Sequence, residues 1–336
     1  IGKEIFKQTS LSWIVVGPGE TKIKDMGKIA EVTLQWAESA FARTGRVDLG
    51  KVTVWARELY REKVAGHAVL SKCKIRPITS ITTLTAINEL GKKFNAGPDG
   101  WEAKSIAKMV GPTKLNLAES VRTWIDDLTI NGRLDENFGD TLMTLLPKVR
   151  AARRWSDIRP IELDSWPVRL ISRIMAEKLN HLLPILSTSQ HGFIHGRSPV
   201  APILLIEDLI RKGECVVFLD VTAAYTSVDV EALATICETM ELPKCLTQCI
   251  RAITAPRRIR LSHKGRVSRR WIRAQRGLRQ GNAASPALFN IYMAVALNRL
   301  NKVLGDRAEF WTYADDIAVW VKNINDLHSV IGAIKE

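Results

Sequence analysis

Apolar side chains recur at two different spacings along this chain, and the change of spacing divides it. From Gly27 to Thr44 they fall at Ile29, Val32, Trp36, Ala40 and Phe41, the period of a helix with one buried face. Lys51 to Lys72 keeps that period through Val54, Trp55, Leu59 and Val64. Residues 1–95 therefore predict a helical N-terminal extension. Gly-Pro-Asp-Gly at 97–100 ends a polar, glycine-containing break and marks a boundary, with a second domain over 96–336. Helices are predicted next at Trp101 to Val110 and Leu115 to Ile130, the latter closed by Asn131-Gly132.

From Thr141 short strand-like runs alternate with helices. Strands are expected at Thr141 to Lys148, Asp157 to Leu163 and Glu214 to Val221. Helices are expected at Trp166 to Leu183, Val200 to Lys212, Asp229 to Met240, Lys244 to Thr254, Ser285 to Leu304 and Asn325 to Lys335. Two apolar runs, Phe310-Trp311-Thr312 and Ile317 to Val321, flank a tight turn and predict a hairpin. This second part reads as α+β, with antiparallel strands and helices packed on one face.

Composition adds a partner class. The chain has 336 residues with a net charge of +14, and a globular protein this basic usually meets a polyanion. Nucleic acid is the first expectation and an anionic membrane surface the second. No run approaches the roughly 18 apolar residues of a membrane-spanning helix, and no cleavable signal pattern opens the chain. It begins at Ile1, which fits a fragment or a processed product. Five scattered cysteines argue against a disulfide framework and fit a reducing compartment. Cys245 and Cys249, with His263 downstream, admit a zinc reading, but without a CxxC or an HxxxH ordinary thiols are the expectation.

The chemistry is concentrated in acids. Asp315 and Asp316 sit at the hairpin turn, and an Asp-Asp pair at a turn is by itself usually only solvated. A third carboxylate, Asp220, ends the apolar strand Cys215-Val216-Val217-Phe218-Leu219-Asp220. An acid there is costly to bury unless it is paired or binds a metal. Carboxylates converging from separate strands suit two magnesium ions about 4 Å apart, holding an attacking hydroxyl and a leaving oxygen in line for phosphoryl transfer. On this reading Asp220 and Asp315 bridge both ions and Asp316 positions the acids or touches one ion loosely. Asp220, Asp315 and Asp316 are the candidate catalytic residues, and with Val221 the candidate metal contacts.

These residues carry a resemblance. Phe218-Leu219-Asp220-Val221-Thr222-Ala223-Ala224-Tyr225 resembles motif A of reverse transcriptases. Gly277-Leu278-Arg279-Gln280-Gly281 with Ser285-Pro286-Ala287-Leu288-Phe289-Asn290 resembles motif B, and Tyr313-Ala314-Asp315-Asp316 resembles motif C. Upstream, Leu146-Pro147-Lys148 and Arg159-Pro160-Ile161 resemble the fingers motifs. Gln190-His191-Gly192-Phe193 with Gly196-Arg197-Ser198 matches the segment before motif A. Order and spacing agree along roughly residues 97–325. The Leu-Pro-Lys and Ser-Pro-x-Leu-Phe-Asn forms are most similar to non-LTR (LINE-type) retrotransposon enzymes, with group II intron enzymes as near relatives.

The resemblance implies an RNA-directed DNA polymerase with the right-hand fingers and palm fold, an RNA template, a DNA primer and dNTPs. It implies two magnesium ions, with manganese as a possible substitute. It also implies action inside the cell, in the nucleus of a eukaryote after cytoplasmic passage. Tyr225 stands where the family has an aromatic steric gate against a 2′-hydroxyl. Gln280 and Gly281 would meet the incoming nucleotide and the template base. Lys148 and Arg159 are candidates for triphosphate and template, since Arg offers a bidentate fork to phosphate.

Arg251 to Arg279 holds eleven Lys or Arg and no acid. Alternation around Ile259, Leu261, Val267 and Trp271 predicts two strands with one charged face. Arg257, Arg258, Arg260, Lys264, Arg266, Arg269, Arg270 and Arg273 are then candidate contacts to a template or hybrid backbone. Lys148 to Arg159 forms a second basic stretch. Two features depart from the family pattern: Thr226 replaces the usual Asp after Tyr225, and Asn282-Ala283-Ala284 differs from the commoner residues. The expected thumb, which follows motif C in the family, falls beyond the given chain, so part of a larger element-encoded protein, or the product of a truncated copy, is the expectation. A catalytically silent nucleic-acid-binding remnant and an intron-type maturase are the alternatives.

Overall fold

The apolar alternation of Cys215–Asp220 and of the two runs around the acidic turn closes into one sheet. In the computed structural model, strand β5 (Cys215–Asp220) lies beside β10 (Asp316–Val321), which lies beside β9 (Ala308–Tyr313), all antiparallel. The structure describes residues 14–16, 21–23, 26–42, 47–74, 80–90, 96–102, 105–106, 114–132, 134, 136–149, 157–263 and 266–335. Most of the helix expected at Trp101 to Val110, the middle of the basic stretch from Lys148 to Arg159, and Lys264 lie outside the described residues. One face of this sheet is buried: Phe310, Ile317, Val319 and Val321 pack with Leu297, Leu304 and Val330 from the helices Ser285–Leu304 and Leu327–Lys335. Each such side chain contributes about 1.5–3 kcal/mol by leaving water.

A second sheet has five strands. Its order is β4 (Ile158–Asp164), β3 (Thr141–Pro147), β6 (Arg257–His263) and β7 (Arg266–Val267), with β8 (Ile272–Ala274) also on β6. The basic segment thus makes three strands rather than two. The expectation of antiparallel strands fails at one pair, because β3 runs parallel to β6. The long connection between them, which holds β4, β5 and several helices, supplies the crossover that a parallel pair requires. Met143, Leu145, Ile158, Ile259, Leu261, Ile272 and Ala274 form this sheet's buried side, covered by Leu34, Ala37 and Phe41 of the helix Met26–Phe41.

Helices make the third and largest core. Trp166–Asn180 is buried nearly all round, with Pro167 in its first turn, where a missing N–H costs nothing. Val52, Ala56, Leu59 and Val64 enter the same core as Leu233, Ile250, Leu288 and Phe289. The N-terminal part also carries two short paired strands, β1 (Ile14–Val16) and β2 (Thr21–Ile23). The helix expected over Lys51 to Lys72 is interrupted. Leu49–Leu59 continues as a π-turn to Val64, the chain bends where Gly66 takes φ +74°, and helix resumes at Val69–Lys72. Among the described residues, no helix is long and apolar enough to cross a membrane.

Candidate active site

Register places the acids. Asp316, first in β10, stands directly opposite Asp220, last in β5, and opposite Tyr313 on β9. Direct cross-strand partners share a face of the sheet, with Cβ atoms about 4.5–5.5 Å apart. The hairpin turns through Ala314, whose φ is +57°. The Val221 N–H donates to the Asp315 carbonyl at 3.3 Å, tying the end of β5 to the turn. A cation contact at Val221 would therefore come from its carbonyl.

The three acids face two spaces. Asp220 and Asp315 line a cleft of about 650 Å³ together with Lys148, Arg159, Val221, Tyr225, Gln280 and Gly281. Asp220 also lines a neighbouring groove of about 480 Å³, where it meets Asp316, Phe218 and Tyr313. Asp316 is exposed, yet partial desolvation by its surroundings, and then the charges of Asp315 and Asp220, raise its pKa above the ordinary value. Among the described residues, no three His, Cys, Asp or Glu side chains are gathered closely enough to cage a metal ion by themselves. Magnesium does not ask for such a cage: it is typically held by one or two carboxylates, with substrate phosphates and waters filling the other positions. Asp220 and Asp315 in one cleft fit that demand.

Tyr225 lines the cleft just past a left-handed turn at Ala223 (φ +53°). Its ring stacks on Phe289, with centroids 5.3 Å apart and planes within 10°. Burial, helped by Asp315, pushes its phenol pKa up to about 12, so the ring is a neutral wall. Thr226 is buried and its hydroxyl donates to the Ala223 carbonyl at 3.0 Å. Thr226 is not among the residues lining the cleft that Asp220 and Asp315 share, so position 226 adds no ligand there.

Gln280 and Gly281 are held against β4. The Glu162 N–H donates to the Gln280 carbonyl at 2.7 Å, and a Cβ on Gly281 (φ +105°) would come within 3.0 Å of Ile161. A buried polar network anchors this loop. Arg257 donates to both Glu162 carboxylate oxygens at 2.5 Å, and its side chain is only 1% exposed. Arg279 pairs with Asp164 at 2.7 Å, and Asn282 bridges Asp164 and Ser172. The Asn282 amide at the departing position is therefore a structural tie.

The basic segment sorts into three groups. Arg257 is corrected from candidate nucleic-acid contact to buried ion-pair partner, since no phosphate can reach it without breaking the core. Arg258 pairs with Asp140, Arg270 with Glu38, and Arg260 donates to the Ser268 carbonyl; the Arg258 and Arg260 guanidiniums also lie about 5 Å from the Trp271 ring. Arg266, Arg269 and Arg273 are exposed and make no ion pair among the described residues. Lys148 and Arg159 are likewise exposed at the cleft. Cys249 is buried and Cys245 half-buried, with no metal cluster around them among the described residues.

Residues 146–336, more than half of the chain, match the reverse transcriptase (RNA-dependent DNA polymerase) family. The chain belongs to that family. It is 25% identical over 258 residues to the retrovirus-related Pol polyprotein from type-1 retrotransposable element R2 of Nasonia vitripennis, covering 74% of this chain and 24% of the relative. It is 24% identical over 237 residues to the Pol polyprotein from type-2 retrotransposable element R2DM of Drosophila melanogaster, covering 67% and 22%. The chain spans about a quarter of the length of these curated relatives. Reverse transcriptase domains are generally dependent on a divalent metal and work on a template, a primer and dNTPs.

Three features of this reverse transcriptase domain escaped the sequence reading. Glu162 and Asp164 fall on the same side of β4 as buried Ile158 and Pro160, and an acid on an apolar face signals a buried partner. An arginine-rich stretch without acids of its own was the complementary signal. Phe193 is half exposed in the cleft that Asp315 also lines, and in the sequence only its place in the Gln-His-Gly-Phe motif marks it.

Proposed function

We propose that this chain forms the fingers and palm of an RNA-directed DNA polymerase encoded by a non-LTR retrotransposon. The five-stranded sheet is the fingers and the three-stranded sheet the palm. The observation that carries the reading is the sharing of one cleft by Asp220, Asp315, Tyr225 and Gln280, which lie up to 95 residues apart in sequence. Asp220, Val221 and Asp315 would hold two magnesium ions, which when bound activate the primer 3′-hydroxyl and neutralise the phosphates.

The chain's own residues supply the rest. Lys148 and Arg159 bring positive charge to the triphosphate and template. Tyr225, backed by Phe289, excludes a sugar bearing a 2′-hydroxyl by bulk. Gly281 lets the backbone approach a nucleotide closely. Asp316 supports the acids from the neighbouring groove and is not the principal ligand. Arg266, Arg269 and Arg273 are the basic contacts for the template or hybrid backbone. In a eukaryotic host the work would be done in the nucleus, at a genomic DNA end.

The test is extension of a DNA primer on an RNA template with magnesium and dNTPs. Wild type is expected to extend and Asp315→Ala is not. Equal incorporation by the two proteins would overturn the assignment.

A further inference from the structure

Phe193 is an aromatic residue on a left-handed backbone. Its φ is +59°, a region that a bulky side chain occupies only when the surroundings hold it there. The ring gains little from burial, because the residue is 50% exposed. It lines the cleft with Asp220 and Asp315 and lies 6.1 Å from the Tyr313 ring, tilted by 39°.

The backbone beneath it is locked to the acidic turn. His191 N–H donates to the Thr312 carbonyl and Thr312 N–H to the Ser189 carbonyl, each at 2.8 Å. Asn290 Nδ2 donates to the Gly192 carbonyl at 2.7 Å, and Arg197 Nη1 to the Gln190 carbonyl at 2.5 Å. A Cβ on Gly192 would sit 2.5 Å from the Ala314 nitrogen, so this segment abuts the turn backbone to backbone. The fold thus holds a strained, half-bare aromatic at a fixed place beside Asp315.

We propose that Phe193 and Tyr313 form an aromatic step that takes the uncharged base-and-sugar surface of the primer–template next to its reacting end. This rests on the polymerase reading above. A nucleic acid whose end reaches Asp315 enters the cleft that Phe193 lines. Lys148 and Arg159 suit its phosphates, whereas an aromatic face suits any base regardless of sequence.

The test compares wild type with Phe193→Gly and Phe193→Trp. Glycine adopts φ +59° freely, so it removes the ring and relieves the backbone together. The measurements are the dissociation constant for a fluorescent RNA–DNA primer–template across a salt series, the melting temperature, and the KM for dNTP. For Phe193→Gly the expected result is a roughly 10-fold weaker duplex affinity. The salt slope and dNTP KM stay unchanged, the melting temperature is equal or higher, and Phe193→Trp restores affinity. Unchanged affinity overturns the proposal. So does weakened affinity accompanied by a lowered melting temperature, or a change confined to the dNTP KM. Wild type that binds the duplex yet extends nothing sinks the polymerase reading, while the affinity comparison still decides the role of Phe193.

Discussion

Asp220 and Asp316 face each other across the pair of strands β5 and β10, yet only Asp220 shares the larger cleft with Asp315. Adjacent acids in the sequence are therefore unequal in space. Asp220→Asn and Asp315→Asn are each expected to lower nucleotide incorporation by more than about 100-fold, the scale of losing a charge aimed at the reacting atoms. Asp316→Asn is expected to cost less. In metal-free buffer near neutral pH it should also raise the melting temperature slightly, because it removes one of three mutually repelling charges. Single-turnover incorporation and thermal melts check both; equal losses at Asp315 and Asp316 would contradict the inequality.

Tyr225 acts through its ring in this account. Tyr225→Ala is expected to raise the relative use of ribonucleotides by about 10- to 100-fold, the range over which a pocket distinguishes a single hydroxyl. Tyr225→Phe should keep the discrimination of wild type. The ratio of kcat/KM for dNTP and rNTP reads the effect directly.

Arg257 and Glu162 form a pair whose side chains are each 1% exposed. Removing one partner strands the other charge in the core, and Arg257→Ala is expected to cost about 3–5 kcal/mol in urea unfolding. Replacing both, Arg257→Met with Glu162→Leu, should recover much of that loss. A double variant no more stable than the single one would show that the pair is not buried as described.

Salt dependence separates the arginines. The logarithm of duplex affinity falls with the logarithm of salt by about 0.9 for each phosphate neutralised. Arg266→Ala, Arg269→Ala and Arg273→Ala, taken together, are expected to flatten that slope by two to three phosphate contacts' worth. Arg257→Met/Glu162→Leu should leave it unchanged. An anisotropy titration at several salt concentrations gives both slopes.

Thiol labelling tests the packing. Cys73, Cys237 and Cys249 are buried, and burial pushes the Cys73 and Cys237 thiols up to about 11 and about 12. They are expected to resist a maleimide at neutral pH until the protein unfolds. Cys215 and Cys245 are partly exposed and should label first. Mass spectrometry of a labelling time course distinguishes the two classes.

The sequence by itself determined many of the local elements and the order of the chemistry. The helices Lys244–Thr254 and Ser285–Leu304 and the acidic hairpin were legible because the spacing of apolar positions reports which side of an element is buried. Asp315 and Asp316 stood out only together with Asp220, because carboxylates converging from separate apolar strands suit a divalent metal. Only the tertiary structure decided which of the eleven basic residues at 251–279 are bound up. Arg257 finds its acid 95 residues away and Arg279 finds its own 115 residues away, and no local pattern encodes a partner that distant. The same holds for the parallel pairing of β3 with β6 and for the separation of Asp316 from Asp315 into different spaces. Phe193 was hidden for a further reason: strain is a property of a backbone held in place by contacts with Thr312, Ala314 and Asn290, which come together only when the chain folds.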